Sequence, residues 1–204
     1  MISAIEALAR LREGNHRFVS EIKTEETITT QTRRNQLMSA QEPFAIILGC
    51  SDSRVPAEII FDQGLGDLFV IRVAGNIVAP SQIGSVEFAA ARYATRLVVV
   101  LGHSQCGAIL ATLEALQQPT DHSKNLRSIV DRIKPSMETL FATDLKNHPE
   151  ALIHHAVRAN VRTSANQLRH GSTILEQLIA EEGLLVVGAE YSLETGKVDF
   201  FEGV

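Results

Sequence analysis

The chain has 204 residues, 45% of them hydrophobic, and its 19 Lys and Arg stand against 24 Asp and Glu for a formal net charge of −5. That length suits one domain with a full core, and an acidic balance without a large basic cluster argues against nucleic acid as a partner. The first residues mix charges among apolar ones, and the longest apolar runs, RLVVVLGH and GLLVVGAE, fall far short of the roughly 20 residues a membrane helix needs; a soluble, cytoplasmic protein without a targeting segment is expected.

In chain order, Ile2, Ile5, Leu8 and Leu11 recur every third residue and predict an amphipathic helix, with a second, polar helix expected over 29–38. Pro43 breaks that pattern, and the apolar run 44–48 (FAIIL) reads as a buried parallel strand ending at Gly49 and Cys50. Runs 68–71, 97–101 and 184–187 have the same character. Between them, Ser81 is the expected cap of a helix carrying Val86, Phe88 and the alanines at 89–91, and another helix covers 107–116. Residues 123–169 read as helical with breaks at Pro135 and Pro149, and a further helix starts near Ser172 and stops before Gly183. The stretch 191–196 is too short for a crossover, so 198–201 should return antiparallel as an edge strand. The expected architecture is a single α/β domain, 1–204, with a mainly parallel sheet of four parallel strands and one antiparallel edge strand, flanked by helices.

The chain contains two cysteines, Cys50 and Cys106, and without an export signal such a pair favours a metal or redox role over a disulfide framework. The segment 50–54 (CSDSR) begins where the first strand should end, and 103–106 (HSQC) begins where the third should end. In an open parallel sheet, ligands gather outside the carboxyl ends of the strands, so Cys50, His103 and Cys106 can meet there. Two thiolates and an imidazole suit tetrahedral zinc, one ion per chain, with the fourth position left for water. The two thiolates cancel the charge of the metal, so forming a metal-bound hydroxide should need assistance. Asp52 and Arg54, two residues apart, can pair bidentately, and Asp52 can then either ligate the metal itself or accept a hydrogen bond from its water.

These motifs closely resemble the signature of the β-class carbonic anhydrases. The likeness continues through 55–58 (VPAE), 66–72 (GDLFVIR), 74–76 (AGN), 84–88 (GSVEF) and 101–103 (LGH). The resemblance implies reversible hydration of carbon dioxide to bicarbonate and a proton, Cys50, His103 and Cys106 as zinc ligands, and Asp52 and Arg54 as a catalytic dyad. It implies a homodimer or homotetramer, with an N-terminal helical arm, here 1–38, embracing the partner subunit and the cleft near the dimer interface. Gln41 resembles a glutamine that in one subgroup hydrogen-bonds substrate, and Phe69 and Phe88 occupy positions that help form an apolar wall. Another subgroup carries a tryptophan three residues before the first zinc cysteine that helps lock Asp onto zinc; Ile47 stands there, so the open state, with Asp52 on Arg54, is expected. Hydrolysis of a related heterocumulene such as carbon disulfide and a non-catalytic zinc-stabilised module are the alternatives.

Other features read as ordinary. His154 and His155 point about 100° apart on a helix and cannot easily chelate together. His16, His122, His148 and His170 are expected at the surface, where any could pass protons to buffer. Gly64 and Gly66 form a turn in place of a dinucleotide fingerprint.

Overall fold

The computed structural model describes residues 2–22, 30–118 and 123–204. Five strands, β1 (Ala45–Gly49), β2 (Leu68–Arg72), β3 (Leu97–His103), β4 (Leu185–Tyr191) and β5 (Val198–Glu202), form one sheet in the order β2-β1-β3-β4-β5. Every neighbouring pair is parallel except β4 and β5, which run antiparallel. Alternate side chains of the inner strands feed two cores. Ala45, Ile47, Val99 and Leu101 pack on one face, while Ile46, Leu48, Val98 and Val100 pack on the other. Burial on both faces is why these strands read as continuous apolar runs. The order of connection reverses at β1, since the chain passes first to β2 on one side and then to β3 on the other. Crevices at the carboxyl ends beside such a reversal are where open α/β sheets bind ligands.

The first face is covered by α1 (Ala4–Val19) and α3 (Ala57–Ile60), the second by α4 (Pro80–Arg92), α8 (Pro149–His170) and α9 (Thr173–Glu182). In α1, Ser3 and Glu6 close a capping box, and the buried face is Ala4, Ala7, Leu8, Leu11, Gly14 and Asn15. The expected stripe is half right: Leu8 and Leu11 point inward, but Ile2 and Ile5 are 40% and 69% exposed. The reason is spacing, because repeats of three drift round a helix of 3.6 residues per turn and the true contact face alternates threes and fours. Asn15 binds Ile60 O and Gly196 O and accepts from the Val198 N–H, tying α1 to α3 and β5 of its own chain. Within the segment expected as an arm, α1 is therefore part of the home core. By contrast α2 (Gln31–Leu37), capped by Thr30, buries none of its residues. Thr29, the expected start of that helix, and Met1 lie outside the described residues.

Ser81 does not cap α4. Pro80 occupies its first turn, with Ala79 as N-cap, because proline lacks the N–H that position leaves unpaired and has its φ already set. The 123–170 region divides into α6 (Lys124–Ile133), α7 (Glu138–Phe141) and α8, with single 3-10 turns at Lys134–Ser136 and Asp144–Asn147. Pro135 sits in the first of these turns and Pro149 opens α8. Ser172 caps α9, and Gly183 ends it in the left-handed conformation at φ 69°. A third apolar cluster, with Ile109, Ile133, Met137, Leu152 and Val157, closes over the carboxyl ends of β1 and β3, where α5 (Gly107–Gln117) begins.

Candidate metal centre

Cys50 follows the last residue of β1, His103 is the last residue of β3, and Cys106 is the N-cap of α5. Because β1 and β3 are hydrogen-bonded neighbours, the three side chains meet at one point. Their ligand atoms all lie within 4.8 Å of one another, and the two sulfurs are 4.0 Å apart. Two sulfurs on one tetrahedral zinc at about 2.3 Å each would stand roughly 3.8 Å apart. Cys50 is 5% exposed, Cys106 1% and His103 0%. His103 Nδ1 lies 2.9 Å from Ser104 O, to which it can donate, which leaves Nε2 with its lone pair. That atom is buried without a hydrogen-bond partner among the described residues. A buried acceptor with nothing to accept from is costly, and a cation at the centre of the trio satisfies it. The donor set thus fits zinc.

The surroundings hold the trio in place. Ser104 N–H donates to Tyr191 O, and Leu193 N–H donates to Ser104 Oγ, so the β3 end is fastened to the β4 end. Gly75 N–H points at Cys50 Sγ from 3.4 Å. Gly75 has φ +70°, and a Cβ there would come within 2.7 Å of Ile133 Cδ1, so glycine is needed both for the turn and for the close approach. The two thiols share one proton: the Cys106 thiol donating to it holds Cys50 down at about 4, with the Gly75 N–H assisting. The Cys106 thiol is pushed up by that same bond and by burial.

Asp52 stands beside the trio. Arg54 donates to it three times, from its backbone N–H at 2.9 Å, Nε at 2.9 Å and Nη2 at 2.7 Å. This clamp holds the carboxyl well below the usual carboxylate range. Asp52 Oδ2 lies 3.9 Å from His103 Nε2, and the carboxylate is largely covered while Arg54 is half exposed. Arg72, at the end of β2, donates from Nε to Cys50 O at 3.0 Å and from Nη2 to Asp52 O at 2.6 Å, bracing the loop that carries both residues. Sequence reasoning missed Arg72 and Gly75 as supports, although an arginine ending an apolar strand and a glycine between two matched motifs were visible signals.

Gln41, Phe69 and Phe88 lie elsewhere in the chain. Phe69 pairs with Ile46, four residues before Cys50, about 13 Å along the strand at roughly 3.3 Å per residue. These three gather at the amino ends of the strands around Tyr93, whose hydroxyl accepts from Gln41 Nε2 at 2.9 Å. Ile47 is fully buried in β1. His154 and His155 stack edge to face at 5.5 Å, with His154 Nε2 3.5 Å from Glu190, and neither joins the metal cluster. His16, His148 and His170 are exposed; His122 lies outside the described residues. Gly66, at φ +84°, turns the chain into β2 as expected.

A buried Cys-His-Cys cluster able to hold a metal, at the reversal point of a mainly parallel α/β sheet, defines a candidate metal-site α/β protein. The carbonic anhydrase family model matches residues 45–198. A carbonic anhydrase of Mycolicibacterium smegmatis is 39% identical over 195 residues, covering 96% of this chain and 92% of that one. Carbonic anhydrase 2 of Mycobacterium tuberculosis is 37% identical, covering 95% of this chain and 90% of its own. Among solved structures, a tetrameric β-carbonic anhydrase of Sordaria macrospora superposes with a TM-score of 0.73 at 27% identity, over 82% of this chain and 85% of that one. The chain belongs to the β-carbonic anhydrase family, whose enzymes are carbonate dehydratases, a class of lyase.

Proposed function

We propose that this chain catalyses the reversible hydration of carbon dioxide to bicarbonate and a proton, using one zinc ion held by Cys50, His103 and Cys106. The observation that carries the reading is the buried His103 Nε2, without a hydrogen-bond partner among the described residues, beside two thiols 4.0 Å apart and a clamped carboxylate. When bound, zinc supplies acidified water and so a nucleophile near neutral pH. The remaining work falls to the residues of the chain. Asp52 Oδ2 would accept a hydrogen bond from the nucleophile's O–H and so turn an oxygen lone pair toward carbon, while Arg54 holds that carboxylate ionised and oriented. With both Asp52 oxygens engaged by Arg54 and no indole at Ile47, Asp52 acts beside the metal and does not become its fourth ligand.

Gln41, in the loop before β1, Phe69 on β2 and Phe88 on α4 gather at the amino ends of the strands, away from the cluster of their own chain, so they serve a cleft only in a neighbouring copy. This supports a homo-oligomer of two or four chains in which each cleft is completed across an interface. Phe88 is 53% exposed, which suits such a surface, and α2, buried nowhere in its own chain, is the part of the 1–38 arm left to lie on a partner. The whole of 1–204 is read as one domain. No described helix is long and apolar enough to cross a membrane, and two ligand thiols suit a reducing compartment such as the cytoplasm.

Stopped-flow carbon dioxide hydration by protein of measured zinc content tests the reading. Turnover far above the buffer rate, lost when zinc is chelated, is expected. One zinc per chain with a rate no faster than buffer would return the site to a purely structural role.

A further inference from the structure

Gln41, Phe69 and Phe88 come from three separate stretches of chain yet converge on a side chain that carries none of the expected roles. Tyr93 ends α4 as its C-cap, with its N–H donating to Ala89 O at 3.1 Å. Its ring meets Phe88 edge-on at 5.7 Å and 84°, and leans on Phe69 at 6.1 Å. Two residues on, buried Thr95 donates to Pro43 O at 2.7 Å, which pins the loop leading from Gln41 into β1 to the segment carrying Tyr93. The phenol is therefore fixed by aromatic packing and by the helix end, independently of Gln41. Gln41 itself is exposed, and its amide makes a 2.9 Å bond to that hydroxyl.

Resting on the reading that Gln41 serves the cleft of a neighbouring copy, we propose that Tyr93 is a positioning residue that anchors one end of the Gln41 amide and so leaves the other end held toward the substrate. A glutamine amide has a donor end and an acceptor end, and a phenol hydroxyl can satisfy either. The oxygens of carbon dioxide, and the charged oxygens of bicarbonate, only accept. A half-turn of the amide puts Oε1 on the hydroxyl, with Tyr93 now the donor, and both amide N–H groups then face outward toward a substrate oxygen. Because the hydroxyl pairs equally with both ends, the half-turn leaves no hydrogen bond unmade. Without the hydroxyl, a long exposed side chain must be ordered by the substrate alone.

The test is a double-mutant cycle on the zinc-loaded, full-length protein. Tyr93→Phe keeps the ring and its packing and removes one oxygen. The expected result is a roughly three- to tenfold fall in kcat/KM for carbon dioxide hydration, carried mainly by KM. Zinc content, melting temperature and the shape of the pH profile should be unchanged, and Gln41→Ala/Tyr93→Phe should be no worse than Gln41→Ala alone. A structural role for the phenol would move the melting temperature without this coupling. Wild-type kcat/KM in Tyr93→Phe, or losses that multiply in the double variant, would overturn the proposal. Wild-type kcat/KM in Gln41→Ala would instead remove the underlying reading of Gln41, and the assignment of Tyr93 with it.

Discussion

Replacing Asp52 by Asn is the most informative single change, because it preserves shape and leaves Cys50, His103 and Cys106 untouched. The carboxylate lies 3.9 Å from His103 Nε2, one of the atoms facing the centre of the cluster. A unit charge at about 4 Å is worth about 4 kcal/mol at an effective dielectric near 20. The opposite charge of Arg54, bonded at 2.7 Å, offsets part of that, leaving about 2 to 3 kcal/mol in the transition state. The account therefore predicts a roughly 30- to 150-fold fall in kcat/KM. The loss is deeper still if the Asn amide turns an N–H toward the nucleophile where Asp52 presents an acceptor. Stopped-flow hydration, with zinc content and circular dichroism measured on the same preparation, reads the effect. A variant with full zinc, an intact fold and near-native turnover would refute the reasoning.

Cys106→Ser should abolish tight zinc binding while leaving the sheet formed; a zinc-to-chain ratio equal to that of the parent protein, by elemental analysis after dialysis, would contradict the ligand assignment. Metal uptake should depend on pH with a definite sign. The bond between the two thiols holds Cys50 down and pushes Cys106 up; binding must expel the proton they share, and apparent affinity should weaken as pH falls. Chelator competition at several pH values measures that slope, and a flat profile would show the sharing of the proton to be wrong. Gly14→Ala should destabilise the protein by about 1 to 3 kcal/mol, since a Cβ there would come within 1.8 Å of Phe61 O and force α1 off α3; urea denaturation gives the value, and an unchanged midpoint would mean that α1 is not packed as described.

The strands were legible because burial on both faces leaves unbroken apolar runs, and the turn after β4 was too short for anything but an antiparallel return. The trio Cys50, His103 and Cys106 was legible for a related reason: strand-end placement in a parallel sheet brings distant residues together, and the structure does gather all three. Where single-residue chemistry competed, the reading was less complete. A serine and a proline next to each other both signal a helix start, and the helix begins on Pro80, with Ala79 in the capping position expected for Ser81. Ile2 and Ile5 are as apolar as Leu8, but which side of α1 faces the core depends on what lies beneath it, and periodicity alone does not contain that. The grouping of Gln41, Phe69 and Phe88 around Tyr93 was hidden because it depends on strand register: Phe69 lies opposite Ile46, well short of Cys50, and no local motif records which end of a strand a residue occupies.

The central claim, three protein ligands on zinc with Asp52 held beside it by Arg54, is tested most directly by a crystal structure of the zinc-loaded protein grown at about pH 8, where a carboxylate and a solvent oxygen compete for the fourth position. The account predicts Cys50, His103, Cys106 and one solvent oxygen around the metal, with both oxygens of Asp52 on Arg54. An Asp52 oxygen at bonding distance from zinc, with Arg54 turned away, would contradict it.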